Sequence, residues 1–383
     1  MPDEILRRAE LRFVNGTVVL YILRGGDFLH THEGITLVAV AEAVAKLKRY
    51  DFEGRYDSAR AYPGHVYFVP DDTMISAAAQ ELGIASAADL FGGVVPYAFM
   101  KTKAMTHELV DIEAERPAGW APEFAARIRE VVLPGYTVFS TSAARMAATR
   151  LWAHGAVRVK HPLASGGRGQ SLATRLNELE TILEAVSVSD IAQHGLVLET
   201  NLREVRTLSV GQVTLDGLDL TLSYHGAQRV TTDNKGRSAY GGSDLVCMRG
   251  GWEALDRLRL SSEVRTAVAQ ARQYDDATRE YPGFMASRRN YDVGQGMDST
   301  GQPRSGVFES SWRAGGASSA EIAALTAFTQ DPTLTVVHAS SVEEYGDGIE
   351  PPRGAMVHFE GVDAKAGPII RYTVITRMSR DPI

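Results

Sequence analysis

The sequence predicts an α/β amino-terminal domain followed by an α+β body with a central antiparallel sheet flanked by helices. Over residues 18–96, short apolar runs alternate with helical patterns, which is typical of a parallel sheet with crossover helices. Over 194–231, β-branched and apolar residues continue through several turns, which is typical of antiparallel strands. The 383 residues exceed one ordinary core, so we expect two or three domains.

The elements of the amino-terminal domain follow from apolar runs and amphipathic spacing. The runs at 18–23, 64–72 and 94–96 predict three strands. The pattern at 34–50 puts apolar side chains on one helical face, and 73–83 predicts a second helix that ends at a glycine. Because strand and helix alternate, a parallel arrangement is favoured.

The body of the chain combines further helices with extended segments. Helices are predicted at 123–133, 141–157, 171–186, 266–281 and 318–330. Strands are predicted at 194–202, within 206–231, on both sides of a polar turn at 298–302, and at 333–339 and 369–375. Asp298 lies in the polar turn, where aspartate is favoured, so we interpret it as a turn former.

Composition excludes several classes of protein. The net charge is −7 and no block of lysine and arginine stands out, which argues against nucleic acid as the main partner. The single cysteine, Cys247, excludes a disulfide framework and a multi-cysteine zinc site, and its apolar neighbours indicate core packing. The amino terminus lacks the apolar segment of a signal peptide, and no apolar run has membrane-spanning length. We therefore expect a cytoplasmic protein without a membrane partner.

The segment VRVKHPLASGGRGQS at 157–171 indicates a phosphate site. A buried strand carries Lys160, and a loop with three glycines and Arg168 follows it. Backbone N–H groups of a glycine loop can surround a phosphate, and a strand lysine can add a full positive charge. The segment is neither a P-loop nor a dinucleotide-binding fingerprint. The alternative is a plain turn with a surface arginine.

Two acidic residues downstream suggest a metal site. Asp292 and Glu309 lie on the two strands that the polar turn joins. Carboxylates on adjacent strands can hold Mg²⁺, which takes oxygen ligands and bridges nucleotide phosphates. The alternative is an ordinary solvated face of the sheet.

The order of these segments resembles the ATP-grasp superfamily. VRVKHPLASGGRGQ is followed by LVLETNL…TLSVG and then by NYDV…DSTG…GVFESSWRAGGAS, and the resemblance covers roughly residues 135–325. It implies an ATP-grasp-like fold with a pre-ATP domain at 1–134 and a nucleotide-binding and catalytic region at 135–330. A β-rich extension at 331–383 completes the expected organisation and is interpreted either as closing the site or as a homodimer contact.

The resemblance also implies roles for individual residues around ATP. Lys160 resembles the phosphate-binding lysine, and Arg145 stands where the family usually has a second phosphate-contacting lysine. Glu199 resembles the acid at the start of the hinge, Leu202 resembles the residue whose backbone meets adenine, and the ribose is left to Glu204 or Thr207. The residues matching the mobile glycine loop are Ser165, Gly166, Gly167, Arg168 and Gly169.

The late acidic motif gives the implied metal ligands. Asp292 and Glu309 resemble the ligands of Mg²⁺, and Ser311 stands in place of the usual asparagine. Asn290 on the facing strand is expected to compensate for that substitution. Arg313 matches the arginine of the motif, and with Lys160 and Arg168 it is expected to act in catalysis.

The implied activity is that of an ATP- and Mg²⁺-dependent ligase. ATP would activate a carboxylate as an acylphosphate, and an amine would then displace phosphate, with an amino acid or a peptide-like molecule as substrate. Two alternatives stay open, a kinase that stops at phosphate transfer to a small molecule and a nucleotide-binding module without turnover. The expected partners are thus small-molecule carboxylates and amines.

Further polar residues are candidates for the substrate side. The loop at 315–318 can bind an anion, or it holds a simple helix N-cap at Ser318 or Ser319. Gln228 and Arg229 either line the substrate side or belong to a solvated hairpin. The other candidates are His30, His32 and Glu33 after the first strand, and Lys101, Lys103 and His107, for which surface lysines are the alternative.

Overall fold

The computed structural model describes residues 16–25, 27–161, 163–164 and 169–381. The helices of these residues are α1 (His32–Lys48), α2 (Ser76–Glu81), α3 (Pro122–Ile128), α4 (Thr141–Leu151), α5 (Leu176–Glu184), α6 (Val188–His194), α7 (Ser262–Arg279) and α8 (Ser318–Gln330). The strands are β1 (Gly16–Tyr21), β2 (Asp51–Arg55), β3 (His65–Pro70), β4 (Met74–Ile75), β5 (Gly93–Val95), β6 (Gly135–Val138), β7 (Val157–Lys160), β8 (Gln170–Ala173), β9 (Leu196–Thr200), β10 (Arg203–Leu215), β11 (Leu220–Thr232), β12 (Ser238–Arg249), β13 (Met285–Ala286), β14 (Arg288–Met297), β15 (Pro303–Ser311), β16 (Val336–Tyr345), β17 (Met356–Asp363) and β18 (Gly367–Ser379).

The amino-terminal part is a three-stranded parallel sheet in the order β2-β1-β3, as the alternating pattern predicts. Helix α1 packs on it through Leu37, Val40 and Val44, which are all buried. Strand β2 escapes prediction because its sequence, DFEGR, is short and polar. The predicted third strand is not part of this sheet, since β5 pairs instead with β4 and β13.

A four-stranded sheet in the order β6-β9-β7-β8 follows, and it positions the first candidate site residues. Helix α4 covers it, and the hydroxyl of Ser140 caps this helix by accepting the N–H of Ala143 at 3.3 Å. The helix predicted over 171–186 is wrong in its first part. Residues 170–173 form β8, because they pair with β7 and return the chain from the glycine loop.

The largest sheet has eight strands in the order β15-β14-β10-β11-β12-β16-β18-β17, and all its pairings are antiparallel. One face packs against α1 and α8, and the other packs against α7. Cys247 is fully buried on β12, and burial raises the pKa of its thiol, so the core-packing interpretation is confirmed. The strands after residue 330 continue this sheet, while the two predicted domain boundaries stay predictions.

The turn between β14 and β15 and the start of α8 decide where the acidic residues and the anion loop lie. Asp298 accepts the backbone N–H groups of Thr300 at 2.9 Å and Gln302 at 3.0 Å, so the turn-former interpretation is confirmed. The alternative interpretation of this loop, an N-cap of α8 at Ser318 or Ser319, is wrong. Ala317 occupies that position without a side-chain cap, and the Ser318 hydroxyl accepts the N–H of Gly315 at 3.0 Å instead.

None of the helices in the described part of the chain is long and apolar enough to cross a membrane.

Candidate nucleotide and metal site

The register of β14 and β15 places the two predicted metal carboxylates face to face. Asp292 lies directly opposite Glu309, and Asn290 lies directly opposite Ser311. Because side chains alternate along a strand, residues two apart share a face of the sheet. The four candidate metal ligands are therefore gathered on one face, which is the face that also carries α1 and α8.

Asp292 is held by neutral donors. The Asn290 amide donates to its Oδ1 at 2.9 Å, and the Ser209 hydroxyl donates to the same atom at 3.3 Å. Among the described residues, no lysine, arginine or histidine forms an ion pair with it. Burial and the negative charge of Glu309 raise the pKa of Asp292 to about 6. A pair of closely spaced carboxylates, one of which lacks a cationic partner, is suited to binding a divalent cation.

Glu309 differs from Asp292 because it already has a cationic partner. Its Oε2 atom lies 2.8 Å from the Nζ atom of Lys103. Burial raises the pKa of Glu309, but the charges of Lys103, Lys160 and Arg313 outweigh that effect and hold it below its usual value. The Glu309 side chain keeps 29% of its surface exposed, so it remains accessible to a ligand.

Lys103 was a candidate that sequence patterns left ambiguous. The surface-lysine interpretation is wrong for it, because its side chain is 9% exposed. Besides Glu309, its ammonium group donates to the backbone carbonyl of Ala164, immediately before the glycine loop. Lys103 lies in a short 3₁₀ helix, Lys103–Thr106, about two hundred residues before Glu309, and no local sequence signal could have paired the two.

Lys160 is buried at the end of β7. Its Nζ atom lies 2.7 Å from Oε1 of Glu199 and donates to the backbone carbonyl of Phe308 at 3.4 Å. It also lies 4.5 Å from the centre of the Phe308 ring. Since Phe308 directly precedes Glu309, these contacts bring the lysine of the small sheet to the acidic edge of the large one.

Glu199 completes a buried row of charged groups. Its second oxygen lies 3.2 Å from Nε2 of His107, and the side chain of Glu199 is only 1% exposed. On β9, Glu199 lies opposite Arg158, so Lys160 is its diagonal neighbour on the same face. Burial raises the pKa of Glu199, but the charge of Lys160 and the contact with His107 hold it below its usual value.

The glycine loop is described only at its ends. Ser165, Gly166, Gly167 and Arg168 lie outside the described residues, so their roles stay predictions. Gly169 has a φ of +63°, a left-handed conformation that favours glycine, and its carbonyl accepts the N–H of His161 at 2.8 Å.

Of the residues proposed to bind adenine and ribose, Leu202 lies between β9 and β10, and Glu204 and Thr207 lie in the first part of β10. Leu202 is 4% exposed. Glu204 is exposed, has a φ of +53°, and lies in an irregular stretch where the pairing of β10 with β14 shifts. Thr207 is half-buried opposite Gly294. The adenine and ribose assignments stay predictions.

Arg145 is the sequence candidate that the structure does not bring to the other charged groups. It lies on α4, with 47% of its side chain exposed. Its guanidinium forms two hydrogen bonds to Glu180 on α5, at 2.7 and 2.9 Å. Within the described part of the chain, no hydrogen bond joins it to Lys160 or Glu309, so its phosphate role stays a prediction.

Arg313 extends the site towards the amino-terminal domain. Its side chain is 26% exposed, and its Nε atom lies 3.7 Å from Oδ1 of Asp72. Asp72 also accepts an ion pair from Lys101 at 2.6 Å. Burial and the nearby charge of Arg24 lower the pKa of Arg313. Arg313 is therefore a partly exposed cation whose ion pair with Asp72 is long, at 3.7 Å.

Arg288 is a site residue that sequence reasoning missed. It is 1% exposed and forms an ion pair with Glu321 of α8 at 2.8 Å. It also donates to the backbone carbonyls of Ser311 and Arg313, so it fixes the chain on both sides of the acidic motif. The sequence signal that could have identified Arg288 was its position on β14, two residues before Asn290 and therefore on the same face of the strand.

The two neutral metal candidates already have protein partners. The carbonyl oxygen of Asn290 accepts the hydroxyl of Tyr224 at 2.9 Å. The hydroxyl of Ser311 lies 3.5 Å from a guanidinium nitrogen of Arg288. Asp292 and Glu309 also have protein partners, so the metal roles of all four candidates stay predictions.

Several solved structures resemble most of the chain. Phosphoribosylamine–glycine ligase from Thermotoga maritima has 13% sequence identity and a TM-score of 0.50, over 95% of this chain and 93% of that one. N5-carboxyaminoimidazole synthetase from Staphylococcus aureus in complex with ADP has 12% identity and a TM-score of 0.48, over 95% and 94%. D-alanine–D-alanine ligase from Bacillus anthracis has 12% identity and a TM-score of 0.45, over 82% and 93%.

No curated protein sequence matches the chain. A family model with the description "Protein of unknown function (DUF3182)" matches residues 22–373. At these identities the structural likeness shows the fold alone, and the fold is the one that the order of sequence motifs implied. The chain therefore belongs to the DUF3182 family and has the ATP-grasp fold.

Proposed function

We propose that the protein is an ATP- and Mg²⁺-dependent ligase that activates a carboxylate as an acylphosphate and joins it to an amine. The observation that carries this proposal is the pairing of Asp292 with Glu309 across two strands, next to Lys103 and Lys160. A protein that only held adenine would have little use for two carboxylates and two buried lysines at one point. Phosphoryl transfer needs such groups, because its catalysis is mostly positioning and charge stabilisation.

Each group of site residues has its own role in this proposal. Lys160 and the backbone of the glycine loop bind the nucleotide phosphates, and Glu199 fixes the lysine in place. Asp292 and Glu309 hold Mg²⁺, which when bound neutralises charge on the phosphates. Arg313, whose ion pair with Asp72 is long at 3.7 Å, orients the substrate carboxylate towards the γ-phosphate.

The proposed reaction has two steps. An oxygen of the substrate carboxylate attacks the γ-phosphorus, the bond to the β,γ-bridging oxygen breaks, and ADP leaves. The amine then attacks the acyl carbon, the acyl C–O bond breaks, inorganic phosphate leaves, and the amine loses a proton. Exclusion of water from the site would protect the acylphosphate between the two steps.

Thermal unfolding with and without Mg²⁺–ATP and Mg²⁺–ADP tests the nucleotide site. A ligand at a hundred times its dissociation constant stabilises the native state by about 2.7 kcal/mol, which is a shift of several degrees. We expect this shift in the wild type and in the control variants Lys235→Met and Glu350→Gln. We expect it to be lost in Lys160→Met and Glu309→Gln.

The absence of a shift with every nucleotide would contradict the proposal. If nucleotide binds, phosphate release is measured with panels of small carboxylates and amines. Release that needs both substrates supports the ligase, whereas transfer of phosphate to one acceptor would identify a kinase. Binding without hydrolysis under any substrate set would identify a nucleotide-binding module.

A further inference from the structure

His107 contacts the Lys160–Glu199 ion pair from the carboxylate side. Its side chain is 1% exposed, and its Nε2 atom lies 3.2 Å from Oε2 of Glu199, while the Nζ atom of Lys160 lies 2.7 Å from Oε1. An ionised carboxylate can only accept a hydrogen bond, so Nε2 of His107 carries the proton and donates it. A histidine that is buried beside Glu199 in this way can act on a ligand only through its neighbour.

The two contacts of the Glu199 carboxylate differ in kind. The contact with His107 has the geometry of a hydrogen bond, whereas the contact of Oε1 with Lys160 is an ion pair without that geometry. A hydrogen bond depends on direction, while the attraction between two charges depends on their distance. His107 therefore fixes the orientation of the carboxylate, and the oriented carboxylate holds the ammonium group by its charge.

The backbone around His107 is held by β6. The Thr137 hydroxyl donates to the backbone carbonyl of Ala104 at 2.6 Å, and the Thr137 N–H donates to the backbone carbonyl of Glu108 at 2.8 Å. His107 lies between these two acceptors, directly after the short 3₁₀ helix. One threonine of β6 thus holds the chain on both sides of the histidine.

A glycine leaves room for the histidine ring. Gly135 of β6 lies directly opposite Glu199 of β9. A Cβ atom at Gly135 would lie 2.9 Å from Cε1 of His107 and 2.9 Å from Cβ of Glu199, which is closer than such atoms approach in folded proteins. Gly135 is not among the glycines with a positive φ, so the backbone conformation does not require it. The missing side chain therefore serves the approach of the ring to the carboxylate.

The contact with His107 also helps to keep Glu199 charged. Burial raises the pKa of Glu199, but the charge of Lys160 and the hydrogen bond with His107 outweigh burial and hold it below its usual value. The ammonium group of Lys160 has three donors. Its hydrogen bond to the Phe308 carbonyl is long, at 3.4 Å. A charged and oriented Glu199 can therefore hold the lysine while donors of the lysine stay available for an anion.

We propose that His107 is a positioning residue of the nucleotide site, which acts through Glu199 on Lys160 and so sets the affinity for the nucleotide phosphates. The proposal rests on the proposed function, because it takes Lys160 as the phosphate-binding lysine. It assigns His107 no contact with the nucleotide. Loss of the histidine should therefore weaken the binding of ligands that carry phosphates and leave the binding of adenosine unchanged.

The test is a calorimetric titration with Mg²⁺–ADP and with adenosine, at a temperature below the unfolding transition of each variant. His107→Phe keeps a ring but removes the donor, and it is expected to weaken ADP binding about tenfold, the size of one hydrogen bond to a charged group. His107→Gln keeps a side-chain N–H donor and is expected to bind ADP within about threefold of the wild type. His225→Phe, at a half-buried histidine of β11, is the matched control and should bind both ligands like the wild type.

Several results would overturn the positioning role. These are an unchanged ADP affinity in His107→Phe, an equal weakening of ADP and adenosine binding, and a glutamine variant that binds ADP as weakly as the phenylalanine variant. If His107→Phe does not fold, Gly135→Ala decides, because its Cβ atom would displace the ring from Glu199. That variant should weaken ADP binding alone, and an unchanged ADP affinity would overturn the role.

The same experiment separates this proposal from the proposed function. If the wild type binds no ADP, both fail. If ADP affinity depends on His107 but no combination of carboxylate and amine releases phosphate, the positioning role stands and the proposed ligase activity is contradicted.

Discussion

Two lysine–glutamate ion pairs meet at the centre of the molecule, and they are built differently. Lys160 and Glu199 are 2% and 1% exposed, and His107 closes the other side of the carboxylate. Lys103 and Glu309 are 9% and 29% exposed, and their neighbour is the carboxylate of Asp292. The first pair is therefore a fixed part of the core, whereas we propose that the second exchanges its cation for a metal ion.

The largest expected effect lies in the fixed pair. Glu199→Gln leaves the Lys160 ammonium buried without its direct ion-pair partner, and breaking a buried pair in this way costs about 3–5 kcal/mol. We expect the free energy of unfolding of the nucleotide-free protein, measured with urea, to fall by that amount. Glu350→Gln, on an exposed loop, should leave it unchanged. A loss below about 1 kcal/mol at Glu199 would show that the pair is not the fixed element.

A smaller effect is expected from the pH dependence of the exchangeable site. The folded-state pKa of Asp292, about 6, lies above its unfolded value, so protonation of this group favours the folded state. Its contribution is fully present below about pH 4 and is lost as the pH rises through 6. In metal-free protein, the stability of the wild type relative to Asp292→Asn should therefore fall by up to about 3 kcal/mol over this range. A difference that is flat with pH would contradict the crowding of the two carboxylates.

The smallest expected effect concerns competition for Glu309. Lys103 and Mg²⁺ are proposed to use the same carboxylate, so Lys103→Met should lower the Mg²⁺ concentration needed for nucleotide binding by several-fold, roughly the size of one partly exposed ion pair. The measurement is a calorimetric titration of ADP at a series of Mg²⁺ concentrations. Lys101→Met, whose partner is Asp72, is the matched control. An increased Mg²⁺ requirement would mean that Lys103 supports the metal rather than competing with it.

Those parts of the fold that depend on local pattern could be predicted from the sequence. Helix α8 has the predicted bounds, 318–330, because its apolar positions have helical spacing and an irregular loop precedes it. Asp292 and Glu309 could be placed on paired strands because the turn at 298–302 fixes a hairpin, and a hairpin fixes register.

The remaining parts of the site depend on contacts between segments that are distant in sequence. Lys103 and Arg288 carry no motif, and each becomes informative only when another strand or helix supplies its partner. Short polar strands such as β2 are missed by sequence prediction for a related reason. Neighbouring strands stabilise them more than their own composition does. The fold class was thus accessible from sequence, but the cations of the site were only partly so.

The most direct test of the central claim is a crystal structure with ADP and Mn²⁺ in place of Mg²⁺, collected where manganese scatters anomalously. The account predicts an anomalous peak between the carboxylates of Asp292 and Glu309, the nucleotide phosphates next to Lys160, and Lys103 displaced from Glu309. A manganese ion elsewhere, or a nucleotide bound while Lys103 and Glu309 remain paired without metal, would contradict it.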